Sequence, residues 1–243
     1  MNLPLRPRDA KEGTRVSRSL GCALCSVRER SVCTAMHQKD LPEVEQRMAR
    51  RHAQAGTALM TEGEPNETLF VLVKGSIRLS KQLEDGRRQV TGFLFPGDML
   101  GMRKTQTAAY TAETLEDSYL CRFTHGFLDQ AAERAPAVSD RLLHRAQHEY
   151  HRAQEHIVLL GKRIAIERVQ YFIEIVDRAI GHDDPARGRL VPLPMPRQDI
   201  ADYLGLRLET LSRTLGQLRK QGHLLLVNKH FLLRAETGNA PLI

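Results

Sequence analysis

Leu143, Ala146, Tyr150, Ala153, Ile157, Leu160 and Ile164 follow one another at intervals of 3, 4, 3, 4, 3 and 4 residues. That spacing sustains an a/d seam for three heptads, the pattern of two helices packed side by side. The positions around it are Arg, His, Gln and Glu. A helix lying on the core of its own domain usually carries a wider apolar stripe. The seam therefore predicts one long helix paired with a second copy of the chain, with the remaining elements arranged about it.

Upstream the period changes to that of strands. "TLFVLVKGSIRLSKQ" holds a β-branched apolar run, a Lys-Gly turn, and alternation through Ile77 and Leu79. "LEDGRRQVTGFLFPGDMLG" follows, with Asp85-Gly86 as a hairpin signal and Pro96-Gly97-Asp98 as a second turn. Short strands separated by glycine turns suggest a sandwich or roll. Before them, "KDLPEVEQRMA" begins a helix with Leu41, Val44 and Met48 on one face, and Asp40 with Glu43 resembles a capping box.

Downstream of the seam, "KRIAIERVQYFIEIVDRAI" reads as a helix ending at Gly181, and Asp183-Asp184-Pro185 with Gly188 as a loop. In "MPRQDIADYLGLRLETLSRTLGQLRKQG", Ile200, Ala201 and Leu204 form the inner face of a short helix that Gly205 stops. Leu208, Leu211, Leu215 and Leu218 mark the buried face of a second helix, which makes a helix-turn-helix. Glu209, Thr210, Ser212, Arg213, Gln217 and Lys220 are left outside. In a major groove Arg213 has the donor fork for guanine O6 and N7, Glu209 can accept from cytosine N4, and Ser212 can bond a base edge. "HLLLVNKHFLLR" then reads as two strands around Asn228-Lys229, a wing. A plain helical hairpin, with Glu209 and Arg213 as a surface ion pair, has the same spacing. Charge leans toward a polyanionic partner: the chain carries +7, and residues 187–243 hold nine Arg or Lys against four Asp or Glu.

Three of the four cysteines, Cys22, Cys25 and Cys33, fall within twelve residues, and Cys121 lies far downstream. The basic, polar first twenty residues lack the apolar stretch of a secretory signal, and no apolar run approaches a membrane span. A cytoplasmic location is expected. Clustered thiols there favour metal or redox chemistry over structural disulfides. Four thiolates suit an iron–sulfur cluster or tetrahedral zinc, and the spacing alone leaves both open, as it does inert thiols.

The succession of β-roll, long dimer helix and winged helix-turn-helix resembles the superfamily of the cyclic-AMP receptor protein (CRP) and the fumarate-nitrate reduction regulator (FNR). "LGLRLETLSRTLGQLRKQG" is similar to the recognition segment of the FNR branch, whose E-x-x-S-R core is present as Glu209, Ser212 and Arg213. The resemblance implies an α+β chain with a jelly-roll sensor domain of the cyclic-nucleotide-binding type. It also implies a homodimer on a palindromic DNA site with TTGAT-type half-sites, and RNA polymerase as a further partner. Exposed turns such as Glu84–Arg88 are candidate polymerase contacts, although a solvated hairpin tip is the plainer reading. The dimer seam would comprise Leu143, Ala146, Tyr150, Ala153, Ile157 and Leu160.

The same resemblance implies an oxygen-labile [4Fe–4S] cluster on Cys22, Cys25, Cys33 and Cys121. The C-x2-C-x7-C spacing departs from the C-x2-C-x5-C of the best-known member, with consequences for exposure of the cluster. Ala153 stands about where family members can carry an acidic residue that opposes dimerisation. Cyclic-nucleotide binders of the superfamily place Arg followed by Ser or Thr after the roll's glycine turn. The corresponding place here reads Ala108-Ala109-Tyr110, and Arg103-Lys104-Thr105 comes too early, so no cyclic nucleotide is expected. His52 and His125 are weak candidates for haem. No catalytic constellation accompanies the cysteines, so an enzyme is not expected. The expected divisions are an arm and cysteine loop over 1–37, the roll over 38–136, the dimer helix over 137–162 and the DNA-binding domain over 163–243. A cluster-free regulator controlled by thiol redox, zinc or another ligand is the alternative.

Overall fold

The computed structural model describes residues 21–102, 107–162, 164–228 and 231–234. The arm expected over residues 1–20, the Arg103-Lys104-Thr105 stretch and Lys229 of the wing turn lie outside them.

Four single turns of 3-10 helix, Cys22–Leu24, Arg28–Arg30, Val32–Ala35 and Gln38–Asp40, lead into helix α1 (Leu41–Arg47). The capping box expected at Asp40 is absent. Asp40 ends a 3-10 turn in helical backbone, φ −92° and ψ −8°, and its side chain caps nothing. A cap requires extended backbone to swing its oxygen over the first turn. Glu43 pairs instead with Arg47 at 3.3 Å and Arg134 at 3.1 Å.

The roll follows as β1 (Ala49–Ala53), β2 (Ala58–Met60), β3 (Thr68–Lys74), β4 (Ile77–Gln82), β5 (Arg88–Leu94), β6 (Met99–Leu100), β7 (Thr111–Thr114) and β8 (Ser118–Thr124). They form two antiparallel four-stranded sheets, ordered β1-β8-β3-β6 and β2-β7-β4-β5. Strand β3 reads as an unbroken apolar run because both of its faces are buried. Phe70 and Leu72 enter the interior of the roll with Ile77, Leu94, Leu100 and Leu120. Leu69 and Val71 point the other way, into a second core with Phe123, Phe127, Val27 and Val32. Gly75, at φ +101°, makes the β3–β4 turn where any Cβ would collide with Ser118, so glycine is required there.

Helix α2 (His125–Arg134) starts on a Thr124 cap whose hydroxyl accepts from the Phe127 N–H at 3.3 Å. Helix α3 (Pro136–Lys162) is the long one, 27 residues and about 40 Å. Helix α4 (Ala165–Ile180) stops at Gly181 as its sequence predicts. The loop expected at Asp183–Gly188 is instead a small hairpin of β9 (His182–Asp184) and β10 (Gly188–Pro192), closed by Asp184, whose Oδ1 accepts from the N–H of Ala186 and Arg187 at 2.9 Å each. A side-chain turn of this kind has little signature beyond a single Asp.

Helices α5 (Arg197–Tyr203) and α6 (Leu208–Lys220) and strands β11 (Leu224–Asn228) and β12 (Phe231–Arg234) complete the described chain. The third sheet is ordered β11-β12-β10-β9. Its core does not stop at the edge of the roll. Val90, Phe93 and Phe95 share one buried cluster with Leu159, Phe172, Ile200, Tyr203, Leu211 and Leu218.

Candidate functional site

Cys121 is presented by sheet register. It sits on β8 opposite Arg50 of β1 and Val71 of β3, on the face turned away from the interior of the roll. The loop that faces it is seated by Val27, 1% exposed, and Val32, fully buried, two apolar pegs between Cys25 and Cys33. Tight turns space the thiols: Leu24 N–H donates to Gly21 O at 3.0 Å and Arg28 N–H to Cys25 O at 3.1 Å. Ser31 caps the next turn, its hydroxyl accepting from Cys33 N–H at 3.3 Å. Glu45 of α1 takes the N–H of Cys22, and a side chain at Gly21 would strike that carboxylate. Cys22, Cys25, Cys33 and Cys121 thus belong to one apolar cluster, and all four are free thiols.

Burial is the main influence on these thiols. It pushes Cys22 up to about 11, aided by Glu45 and the neighbouring cysteines and opposed by Arg50. It pushes Cys121 up to about 12, again with the other three cysteines adding to the effect. Cys33 is also raised by burial, against the hydrogen bond from Ser31. Burial and the neighbouring cysteines thus both oppose ionisation of Cys22 and Cys121, while positive charge beside them favours it. Among the described residues, no three Cys, His, Asp or Glu side chains gather tightly enough to ligate a single ion. Four free thiols on one apolar cluster, with Arg50 and Arg28 beside them, are a donor set that either tetrahedral zinc or an iron–sulfur core can use.

Helix α3 carries an exposed apolar stripe on the side away from its buried Val138 and Leu159. Leu143, Tyr150 and Ile157 are 60%, 67% and 70% exposed, and Ala146 and Ala153 are exposed beside them. Leu160 is less so, because its Cδ2 lies against Gly205 of the helix-turn-helix. Two of its arginines face inward: Arg145 donates to Asp98 at 2.8 Å, and Arg152 lies 4.0 Å from the same carboxylate. His156 stacks on Tyr203 with ring centroids 4.1 Å apart. The spacing of the apolar residues on one face was readable from the sequence, whereas the inward contacts of Arg145, Arg152 and His156 were not.

On the DNA-reading element, Glu209, Ser212 and Arg213 are exposed on the first two turns of α6, while Leu211, Leu215 and Leu218 are buried. Among the described residues Glu209 and Arg213 are not ion-paired with each other, so both heads remain available. Arg207 is the N-cap and makes no side-chain cap hydrogen bond. Gly205 adopts φ +60° in the turn. The preceding helix α5 is held by the roll, through Asp199 to Arg78 at 2.6 Å and Arg88 at 2.5 Å, and through Asp202 to the Val90 N–H at 2.8 Å. Sequence reasoning missed these contacts, since Asp199 looks like any first-turn acid. Arg88, at the end of the Glu84–Arg88 turn, is thereby engaged with the DNA-reading half.

At the place where cyclic-nucleotide binders carry their Arg, Ala108 is buried and bonds Glu64 through its backbone, and Tyr110 packs on the roll interior. The His52 ring lies tilted against Tyr119, centroids 4.7 Å apart, and His125 begins α2.

Residues 50–135 match the family of cyclic nucleotide-binding domains, and residues 193–224 match bacterial regulatory proteins of the crp family. The chain is 35% identical to the nitrogen fixation regulation protein FixK of Bradyrhizobium diazoefficiens, over 85% of this chain and 87% of that one. It is 32% identical to the transcriptional activator protein FnrL of Cereibacter sphaeroides, over 87% of each. The solved structure of FixK2 from Bradyrhizobium japonicum superposes with a TM-score of 0.70 at 34% identity, covering 77% of this chain and 93% of that one.

Proposed function

The chain belongs to the CRP/FNR family of transcription regulators, and from that premise we propose that it is an oxygen-responsive regulator with a [4Fe–4S] cluster on Cys22, Cys25, Cys33 and Cys121. Its relatives are transcription regulators rather than enzymes, and regulators of this family bind DNA as dimers. The finer reading is a palindromic TTGAT-type site bound while the cluster is intact, in the cytoplasm, with RNA polymerase as partner and no cyclic nucleotide. No helix among the described residues is long and apolar enough to cross a membrane.

What supports a thiolate-held centre is the convergence of four free thiols on one apolar cluster, and what favours iron–sulfur over zinc is the likeness to FNR-type regulators such as FnrL. When bound, the cluster supplies an inorganic core carried on four thiolates, with lability to oxygen as its signal. The protein's part is positional. Val27 and Val32 seat the loop, Cys121 ties it to β8, and Arg50 and Arg28 set positive charge beside the thiols.

What supports the dimer is the exposed stripe Leu143, Ala146, Tyr150, Ala153, Ile157 and Leu160, which a second copy would cover. What supports the DNA contacts is the unpaired, outward position of Glu209, Ser212 and Arg213.

Iron and acid-labile sulfide in protein purified without oxygen test this reading. About four of each per chain, with an absorption spectrum that bleaches in air, is the expected result. Zinc, or no metal in a folded protein, would replace it with a cluster-free regulator.

A further inference from the structure

We infer that Arg141 is the positioning residue that couples the cysteine loop to the dimer seam; this rests on the reading that the loop carries an oxygen-labile cluster. Arg141 Nε donates to the Ser31 carbonyl at 3.4 Å, and its Nη2 to the Glu29 carbonyl at 3.1 Å. Both carbonyls lie between Cys25 and Cys33. Ser31 is 1% exposed and its hydroxyl receives the Cys33 N–H at 3.3 Å. One side chain of α3 is therefore two hydrogen bonds removed from a cysteine of the site.

Arg141 stands two residues before Leu143, the first seam residue. Two residues along a helix of 3.6 per turn is about 200°, so the loop and the seam occupy opposite sides of the same turn. A displacement of Ser31 and Glu29 must be taken up by rotation or tilt of that turn, which re-aims Leu143 and Ala146. The next anchor is separate: Arg145 binds Gly97 O at 3.3 Å and Asp98 at 2.8 Å, on the β5–β6 turn of the roll. Arg145 and Arg152 fix the helix to the roll, while Arg141 alone of these three arginines reaches the loop's carbonyls. Reaching two carbonyls from one side chain needs the planar fork of arginine; lysine keeps the charge but offers a single point.

The test is the dimer dissociation constant, measured by sedimentation on anaerobic iron-loaded protein and on the same protein stripped of iron. The wild type should dimerise more tightly when loaded. Arg141→Gln and Arg141→Lys should keep iron content and spectrum yet narrow the difference between the two states by about tenfold or more, the scale of losing charge-assisted hydrogen bonds. If Arg141→Gln does not fold, Arg141→Lys carries the test. Arg152→Gln, which touches the roll and not the loop, should respond as the wild type does. A wild type with equal constants in both states would overturn the cluster-switch reading, and this inference with it. A responsive wild type with equally responsive Arg141 variants would overturn the coupling role alone, as would an Arg152→Gln protein that loses the response equally.

Discussion

Asp199, in the first turn of the first DNA-reading helix, is 2% exposed and accepts a 2.6 Å hydrogen bond from Arg78 of the roll. Arg78 is itself 8% exposed and also holds Glu113 at 2.9 Å. Removing one member of such a pair leaves the other buried and undercompensated, which costs about 3–5 kcal/mol. Asp199→Ala should therefore destabilise the chain by about 3 kcal/mol, the low end, because Glu113 remains. Urea unfolding followed by a probe on the roll and another on α6 should show transitions that coincide in the wild type and separate in the variant.

A pH dependence follows from His156. Its ring is held between Tyr203's ring and carbonyl, and burial keeps its pKa below the ordinary 6.5, against the hydrogen bond to the Tyr203 carbonyl at 2.8 Å. The unfolded chain thus binds a proton that the folded chain resists. Stability from this group is complete above 6.5 and is lost as pH falls from there toward the depressed folded value. His156→Phe retains the stack and removes the titration. Urea midpoints measured from about pH 7.5 down to 5 should fall less steeply for it than for the wild type.

Ile157 is 70% exposed, so a charge there costs the isolated chain little. In a two-fold seam the substitution appears twice. Ile157→Glu should weaken dimerisation about 100-fold or more, through two lost burials of about 1.5–3 kcal/mol each and added repulsion. Sedimentation should find monomers with an unchanged circular dichroism spectrum, and DNA affinity should fall with dimerisation.

Arg213→Ala should cost about 1–3 kcal/mol of discrimination in each half-site without changing the melting temperature, because the side chain is exposed. Fluorescence anisotropy on a palindrome and on versions with one guanine replaced reads this directly. The variant should lose its preference at one position and keep it elsewhere. A uniform loss across all sequences would assign Arg213 to phosphate instead.

Much of this architecture was readable from periodicity. The glycine turns at 75, 86 and 97 and the helix stop at Gly181 appear where spacing places them. So do the two DNA-reading helices, because each of these signals is local. The apolar stripe of α3 was readable for the opposite reason: its residues are left exposed, outside the cores of the chain. What escaped was every contact joining distant segments. Nothing near Asp199 distinguishes it from an ordinary first-turn acid, and its partners Arg78 and Arg88 lie more than a hundred residues away. Asp40 misled because a capping pattern specifies residue types, whereas the preceding 3-10 turn decided the backbone. That the four cysteines gather was not legible in their spacing, because Cys121 reaches the loop only through the sheet register of β8.

The hydrophobic cluster joining Val90, Phe93 and Phe95 to Ile200, Tyr203 and Leu211 bears on how freely such chains can be recombined. A chimera that grafted this DNA-reading half onto another sensor would need a compatible β5 edge and arginines matching Arg78 and Arg88. Without them Asp199 and Asp202 would lose their partners and the aromatic contact at Phe93 would open to water. The two halves are thus heritable as a matched set, and changes at α5 constrain which changes the roll can accept.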